Sequence, residues 1–118
     1  MLLVLLVFGV IWFLMTNLGR IGRKKALELM DGGAVLLDVR TIGESNSDPV
    51  TGALNLPLQQ LEHSADSILK SKETPIICFC ASGMRSRAAC SILKQKGYTA
   101  YNLGGSGSAK SVSAARFS

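Results

Sequence analysis

The fold is indicated by residues 75–97, which read PIICFCASGMRSRAACSILKQKG. The apolar run 75–79 is short and is followed by small and glycine residues, a pattern typical of a buried strand. Residues 86–96 carry apolar side chains at helical spacing with polar ones opposite, and Gly97 stands where a helix C-cap belongs. The stretch therefore predicts a strand, a tight loop that begins at Cys80, and a helix.

Cys80 is predicted to lie over the free backbone N–H groups at the start of that helix. Partial positive charge at a helix N-terminus stabilises an anion, and Arg85 adds a full charge nearby. Such surroundings lower a cysteine pKa from about 8.5 to roughly 3.5–7.5. The alternative is that Cys80 is a small buried hydrophobic residue. The Ser-Gly pair and the arginine that follow it favour a reactive thiolate, because these residues prefer water or a ligand.

The rest of the chain alternates helices and strands. The apolar patterns predict helices over residues 25–30 and 58–69 and strands over residues 34–39, 53–56 and 99–103, with a loop of at most one helical turn over residues 41–52. This order predicts an α/β fold with a small, mainly parallel sheet flanked by helices. Ligands of such sheets bind at the carboxyl ends of the strands, where Asp38 and Cys80 both fall.

The predicted domain covers residues 26–105 and is preceded by a membrane anchor. Residues 1–19 are predicted as one transmembrane helix, because residues 2–18 carry no charge and 17 residues at about 1.5 Å each reach the short end of a bilayer span. A cleaved signal peptide and a buried or interfacial helix are the alternatives. The stretch has neither the basic segment nor the small-residue cleavage site of a signal peptide. Residues 106–118, rich in serine and glycine, are predicted as a flexible tail that frays or forms at most one weak terminal helix.

The net charge of +5 comes mainly from a basic juxtamembrane linker over residues 20–25. Without Arg20, Arg23, Lys24 and Lys25, nine basic residues face eight acidic ones, so the domain itself is close to neutral. By the positive-inside rule this linker predicts a single-pass protein of the inner or cytoplasmic membrane with its domain in the cytoplasm. A nucleic-acid partner is excluded, because no stripe of basic and aromatic residues is present.

The chain has three cysteines, an odd number that indicates no disulfide framework in a reducing compartment. Cys78 and Cys90 are predicted to be packing residues. A zinc site is not expected, because C-x-C is not the usual ligand spacing and the single histidine, His63, is remote in sequence. His63 is predicted on the surface of a helix. We expect neither a metal nor another cofactor.

Four motifs in a fixed order resemble a single-domain rhodanese, the thiosulfate sulfurtransferase family. They are VLLDVR at 35–40, GALNLP at 52–57, CASGMRS at 80–86, and the pair GY at 97–98 with NLGG at 102–105. The resemblance covers about residues 24–105. It departs from the family's pattern at residues 47–51, where many members have a Gly-His pair, at a first strand reduced to residues 20–23, and at the tail that replaces a C-terminal helix.

The resemblance implies a role for each matching residue. Cys80 would be the nucleophile that takes a sulfane sulfur as a persulfide and passes it to cyanide, a small thiol or a protein thiol. Asp38 and Arg40 would match the family's strand-end pair, which braces the site without reacting. Asp38 is alternatively a plain loop cap or a partner of Arg40 with no direct role. The backbone N–H groups that cradle the sulfur and bind the substrate would belong to Ala81, Ser82, Gly83, Met84 and Arg85.

Two other functions stay open at this point. Related cysteine phosphatases resemble C-x5-R, and four residues separate Cys80 from Arg85 here, so the smaller loop favours a sulfur atom over a phosphate or arsenate group. A rhodanese-like module without catalysis, which binds or senses something at a membrane, is the second alternative. The chemistry of the residues favours sulfur transfer, because a thiolate attacks sulfane sulfur and nearby positive charge stabilises the leaving sulfite.

Overall fold

A sheet of four parallel strands forms the centre of the computed structural model, which describes residues 1–17 and 19–117. The spatial order of the strands is β2-β1-β3-β4, so β1 and β3 lie in the middle. The strands are β1 (Val35–Asp38), β2 (Leu54–Asn55), β3 (Ile76–Phe79) and β4 (Ala100–Gly104). The prediction of an α/β fold with a parallel sheet is confirmed.

Helices precede, connect and follow these strands. They are α1 (Leu2–Asn17), α2 (Arg23–Asp31), α3 (Ile42–Ser47), α4 (Leu58–Ile68), α5 (Met84–Gln95) and α6 (Ser106–Phe117). Helix α3 lies inside the segment predicted as a loop. It is stabilised by a capping box, in which the Thr41 hydroxyl accepts the Glu44 N–H and the Glu44 carboxylate accepts the Thr41 N–H.

The two faces of the sheet bury separate hydrophobic cores, because side chains along a strand alternate in direction. One core contains Leu37 and Cys78 together with residues of α4 and α5. The other contains Leu36 and Ile77 together with residues of α2 and α6. Both faces of β1 and β3 are therefore covered, which explains why these strands read as continuous apolar runs.

The C-terminal segment differs from the flexible tail predicted for residues 106–118. Ser106–Phe117 form helix α6, and its Ala109 and Val112 are 0% exposed in the core shared with α2. The Ser113 hydroxyl donates a hydrogen bond to the Thr51 carbonyl at 2.6 Å. Small residues three and four positions apart thus make a buried stripe that the serine-rich composition conceals. Ser118 lies outside the described residues.

The N-terminal segment also requires a correction. Helix α1 has 16 residues, which is about 24 Å of helix against a bilayer core of about 30 Å. Within residues 1–17 and 19–117, no helix is both long and apolar enough to cross a membrane. The predicted anchor over residues 1–19 is therefore not supported, and Leu18 lies outside the described residues. The predicted cytoplasmic location stays a prediction.

The segment predicted as a basic linker, residues 20–25, is part of the folded domain. Arg20 forms a parallel bridge with Asn102 beside β4, and the Ile21 N–H donates to the Asn102 carbonyl at 2.9 Å. Helix α2 then begins at Arg23. The sheet edge next to β4 is thus covered by a very short stretch of chain.

Candidate active site

The Cys80 loop, which we define as residues 80–85, leaves the carboxyl end of β3 and enters α5. The backbone N–H of Cys80 donates to the Gly104 carbonyl at 3.0 Å, which fixes the start of the loop to β4. Gly83 caps α5 with φ +101°, a conformation that side-chain-bearing residues rarely adopt. Asp38 is paired in register with Phe79, so the end of β1 lies beside the start of the loop.

The sulfur of Cys80 lies under the first turn of α5, and the residue is 0% exposed. The Gly83 N–H donates a hydrogen bond to Sγ at 2.9 Å, and Sγ lies 3.6 Å from the Ser86 hydroxyl. Burial raises the pKa of the Cys80 thiol, but hydrogen bonds from Ser86, Gly83 and Ser82 outweigh burial and lower this pKa below its ordinary value. The site therefore favours a thiolate more than a plain buried cysteine would.

A buried polar network supports the sulfur from behind, and its residues were not identified from the sequence. The Ser86 hydroxyl donates to Asn102 Oδ1 at 2.6 Å, and the same oxygen accepts the Gly104 N–H at 3.0 Å. Ser86 and Asn102 are both buried. The sequence signal for this network is an asparagine inside the strand predicted over residues 99–103, because a buried amide needs hydrogen-bond partners.

Arg85, predicted as a cation next to the sulfur, is held by Glu44 of α3. Its two guanidinium nitrogens donate to the two Glu44 carboxylate oxygens at 2.6 and 2.9 Å. The hydrogen bonds from Arg85 and from the Thr41 backbone lower the pKa of Glu44 to about 2, so this carboxylate stays charged. The two charges largely offset each other at the loop. The T-x-x-E capping box at residues 41–44 was the sequence signal that could have found Glu44.

Asp38 and Arg40 form a buried ion pair beside the loop. The Arg40 Nε and Nη2 atoms donate to the two Asp38 carboxylate oxygens at 2.9 and 2.7 Å. The Arg40 guanidinium also lies over the ring of Phe79, 5.4 Å from its centroid. The side-chain amide of Asn55 donates to the carbonyls of Asp38 and Arg40 at 2.9 and 3.0 Å, a contact that the sequence did not reveal. The ion pair thus contacts Phe79, the residue that precedes Cys80.

The remaining predicted residues lie at the rim of the site or away from it. Ala81, Ser82 and Met84 are exposed at the outer side of the Cys80 loop. Cys78 and Cys90 are both buried, and the neighbouring Cys90 thiol together with burial raises the pKa of Cys78 well above its ordinary value. His63 is exposed on α4. In the described part of the chain, no group of three His, Cys, Asp or Glu residues could hold a metal.

A comparison with protein families matches residues 23–109 to the rhodanese-like domain. The match begins at the first residue of α2 and ends in the first turn of α6. It therefore includes all four strands and the whole Cys80 loop.

Individual proteins give matches of modest identity. The chain is 37% identical to the uncharacterized protein YqhL of Bacillus subtilis over 73 residues. This aligned stretch covers 61% of this chain and 56% of YqhL. The chain is also 34% identical to the human thiosulfate:glutathione sulfurtransferase over 83 residues. That alignment covers 60% of this chain and 72% of the relative. The chain thus spans little more than half the length of YqhL.

The fold is also similar to that of solved structures. The full-length protein from Lactobacillus plantarum matches with a TM-score of 0.67 and 23% identity, over 87% of this chain and 91% of that one. At this identity the match shows the fold alone.

Proposed function

Because the chain belongs to the rhodanese-like domain family, we propose that it is a sulfurtransferase in which Cys80 carries the transferred sulfur as a persulfide. The observation that carries this proposal is the hydrogen bond from the Gly83 N–H to Sγ at 2.9 Å, at the N-terminus of α5. A negative charge on Sγ is stabilised there before the transfer, and the N-terminus of the helix also favours the negative charge that the outer sulfur carries in the persulfide. The lowered pKa of Cys80 supports the same role.

In the first step, the Cys80 thiolate attacks the outer sulfur of thiosulfate. A new S–S bond forms at Cys80 while the S–S bond of thiosulfate breaks, and the electron pair of that bond leaves with sulfite. One thiolate charge and two thiosulfate charges become one persulfide charge and two sulfite charges, so the step needs no oxidant, reductant or proton. A thiol that is already ionised also needs no general base.

In the second step, an acceptor attacks the terminal sulfur of the persulfide. With cyanide, a C–S bond forms, the S–S bond breaks, and its electron pair returns to Cys80 as the thiolate. With a thiolate acceptor, an S–S bond forms instead and the acceptor leaves as a persulfide. The name of the human relative supports thiosulfate as a donor and glutathione as an acceptor.

The residues around the loop are assigned supporting roles. Since Arg85 is paired with Glu44, charge stabilisation of the leaving sulfite rests mainly on the N–H groups at the start of α5. Asp38 and Arg40 brace the loop through Phe79. Only four residues separate Cys80 from Arg85, a loop that suits one sulfur atom better than a tetrahedral phosphate group.

The first prediction is that the purified chain forms thiocyanate from thiosulfate and cyanide, at a rate proportional to the protein concentration. The reason is that a stabilised Cys80 thiolate supports both steps without a further group. Thiocyanate is measured as its coloured iron(III) complex, and hydrolysis of p-nitrophenyl phosphate by the same sample is expected to stay at background.

The outcome against this proposal is also defined. If a folded sample forms no thiocyanate with thiosulfate or with glutathione persulfide as the donor, the chain is instead a rhodanese-like module that binds without catalysis. If it hydrolyses the phosphate ester and forms no thiocyanate, the small loop does not select for sulfur.

A further inference from the structure

The side chain of Arg20 lies against the outer side of the Cys80 loop. Its Nη2 atom donates a hydrogen bond to the Ser82 carbonyl at 2.8 Å. Two glycines leave the space that its guanidinium occupies. A Cβ atom at Gly83 would overlap the guanidinium, and one at Gly104 would lie 3.3 Å from Nη1. Arg20 therefore fills a place that the loop and β4 keep open for it.

The backbone of Arg20 is held at the same place. The bridge to Asn102 and the hydrogen bond from the Ile21 N–H to the Asn102 carbonyl at 2.9 Å fix this stretch to β4. Asn102 is also the residue that accepts the Ser86 hydroxyl behind the sulfur. The N-terminal segment thus contacts the Cys80 site through both a side chain and the backbone.

The Ser82 carbonyl that accepts from Arg20 and the Gly83 N–H that donates to Sγ belong to one peptide group. This peptide is trans, so its C=O and N–H point in opposite directions. A cation at the carbonyl polarises the peptide and strengthens the hydrogen bond that its N–H donates, because linked hydrogen bonds reinforce each other. The positive charge of Arg20 thereby strengthens the hydrogen bond from the Gly83 N–H to the Cys80 sulfur.

The buried position of the Arg20 side chain carries a cost in free energy. Its Nε atom is buried, and no acceptor for it is found within residues 1–17 and 19–117. A buried donor without a partner loses its hydrogen bond to water and gains nothing in exchange. A gain in fold stability alone therefore does not explain the contact between Arg20 and the Cys80 loop.

We infer that Arg20 is a positioning residue of the sulfurtransferase site, acting through the Ser82–Gly83 peptide to strengthen the hydrogen bond on the Cys80 sulfur. The inference rests on the proposed function for its meaning in catalysis. It concerns the thiolate itself, however, and thiolate reactivity can be measured without any sulfur donor.

The other charged and titratable groups around Cys80 are the same in the Arg20 variants and in the unchanged chain. They are Arg85 of α5 with its partner Glu44 of α3, the Asp38–Arg40 pair at the end of β1, and Cys78 of β3. None of these side chains is a hydrogen-bond partner of Arg20 in the described part of the chain. A change at Arg20 is therefore separable from their titration.

The test is the rate of alkylation of Cys80 by iodoacetamide as a function of pH, read by tandem mass spectrometry of the full-length chain after digestion. In Arg20→Met the midpoint of this profile is expected to rise by about half a pH unit, so that alkylation below the midpoint is about threefold slower. Arg20→Lys keeps the charge and is expected to recover most of the rate. Arg20→Gln, a second neutral variant, is expected to behave like Arg20→Met.

The matched control is Arg23→Met, which removes one positive charge from an exposed position on the first turn of α2. Its midpoint is expected to equal that of the unchanged chain. A purely structural role of Arg20 would lower the urea midpoint of unfolding and leave the alkylation midpoint in place, which overturns the inference. An equal shift in Arg20→Met and Arg23→Met also overturns it. A chain that is alkylated as expected and forms no thiocyanate contradicts the proposed function alone.

Discussion

Replacing Cys80 with serine is expected to abolish thiocyanate formation, with a rate at least about a thousandfold lower. A serine hydroxyl at the same place is not ionised at neutral pH and forms no persulfide. Serine has nearly the same size as cysteine and can accept the hydrogen bond that the Gly83 N–H now donates to Sγ. The far-UV circular dichroism spectrum and the urea midpoint should therefore stay close to those of the unchanged chain.

Cys90→Ser is the matched control for this prediction. Cys90 is another buried thiol, 6% exposed on α5, and it lies in the same hydrophobic core as Cys78. This variant is expected to keep thiocyanate formation at the level of the unchanged chain. Activity that persists in Cys80→Ser and disappears in Cys90→Ser would assign the nucleophile to Cys90.

Asp38→Asn is expected to destabilise the fold by about 3–5 kcal/mol, a large part of the roughly 5–15 kcal/mol that stabilises a domain. Asp38 and Arg40 are both almost fully buried, and the two carboxylate oxygens accept three hydrogen bonds from Arg40. Removing the Asp38 charge leaves the buried Arg40 guanidinium with only the exposed Asp48 carboxylate, 3.7 Å away, in a poorly solvated place. The free energy of unfolding is measured by equilibrium urea denaturation followed by circular dichroism.

Asp48→Asn provides the comparison, because Asp48 is the exposed neighbour of the same arginine at 3.7 Å. Asp48 also pairs with Lys110 at 2.6 Å, and surface ion pairs of this kind contribute about 0–1 kcal/mol each, so the loss should be small. Destabilisation of similar size in both variants would mean that the buried pair does not brace the loop. Replacing both partners at once, in Asp38→Leu with Arg40→Met, is expected to recover part of the stability, since no unpaired charge then remains.

The parts of the fold that the sequence predicted are those set by local patterns. The strand before Cys80, the loop and the helix after it were visible because apolar periodicity changes from a continuous run to helical spacing within residues 75–97. The two central strands were found for the same reason, since a strand covered on both faces carries few polar residues. The start of α5 at Met84 depends on the conformation of Gly83, so the helix begins two residues before the predicted position.

The parts that were missed depend on contacts between distant residues. Helix α6 is stabilised by α2 and by the Thr51 carbonyl, and its serine-rich sequence gives no strong helical signal of its own. Glu44 reaches Arg85 across 41 residues, which reduces the free positive charge predicted for the loop. In the sequence Arg20 is one of several basic residues, and no local pattern indicates its contact with Ser82. Local patterns predict elements, whereas partners of charged side chains follow from the tertiary fold.

The most direct test of the account is the mass of Cys80 after the full-length chain has been incubated with thiosulfate and cleared of free donor. Tandem mass spectrometry of the digested protein reports the mass at each cysteine separately. The account predicts an added sulfur, about 32 Da, on Cys80, which disappears when cyanide is added and thiocyanate is released. An unchanged mass at Cys80 in a folded sample, or the added sulfur on Cys78 or Cys90 instead, would contradict it.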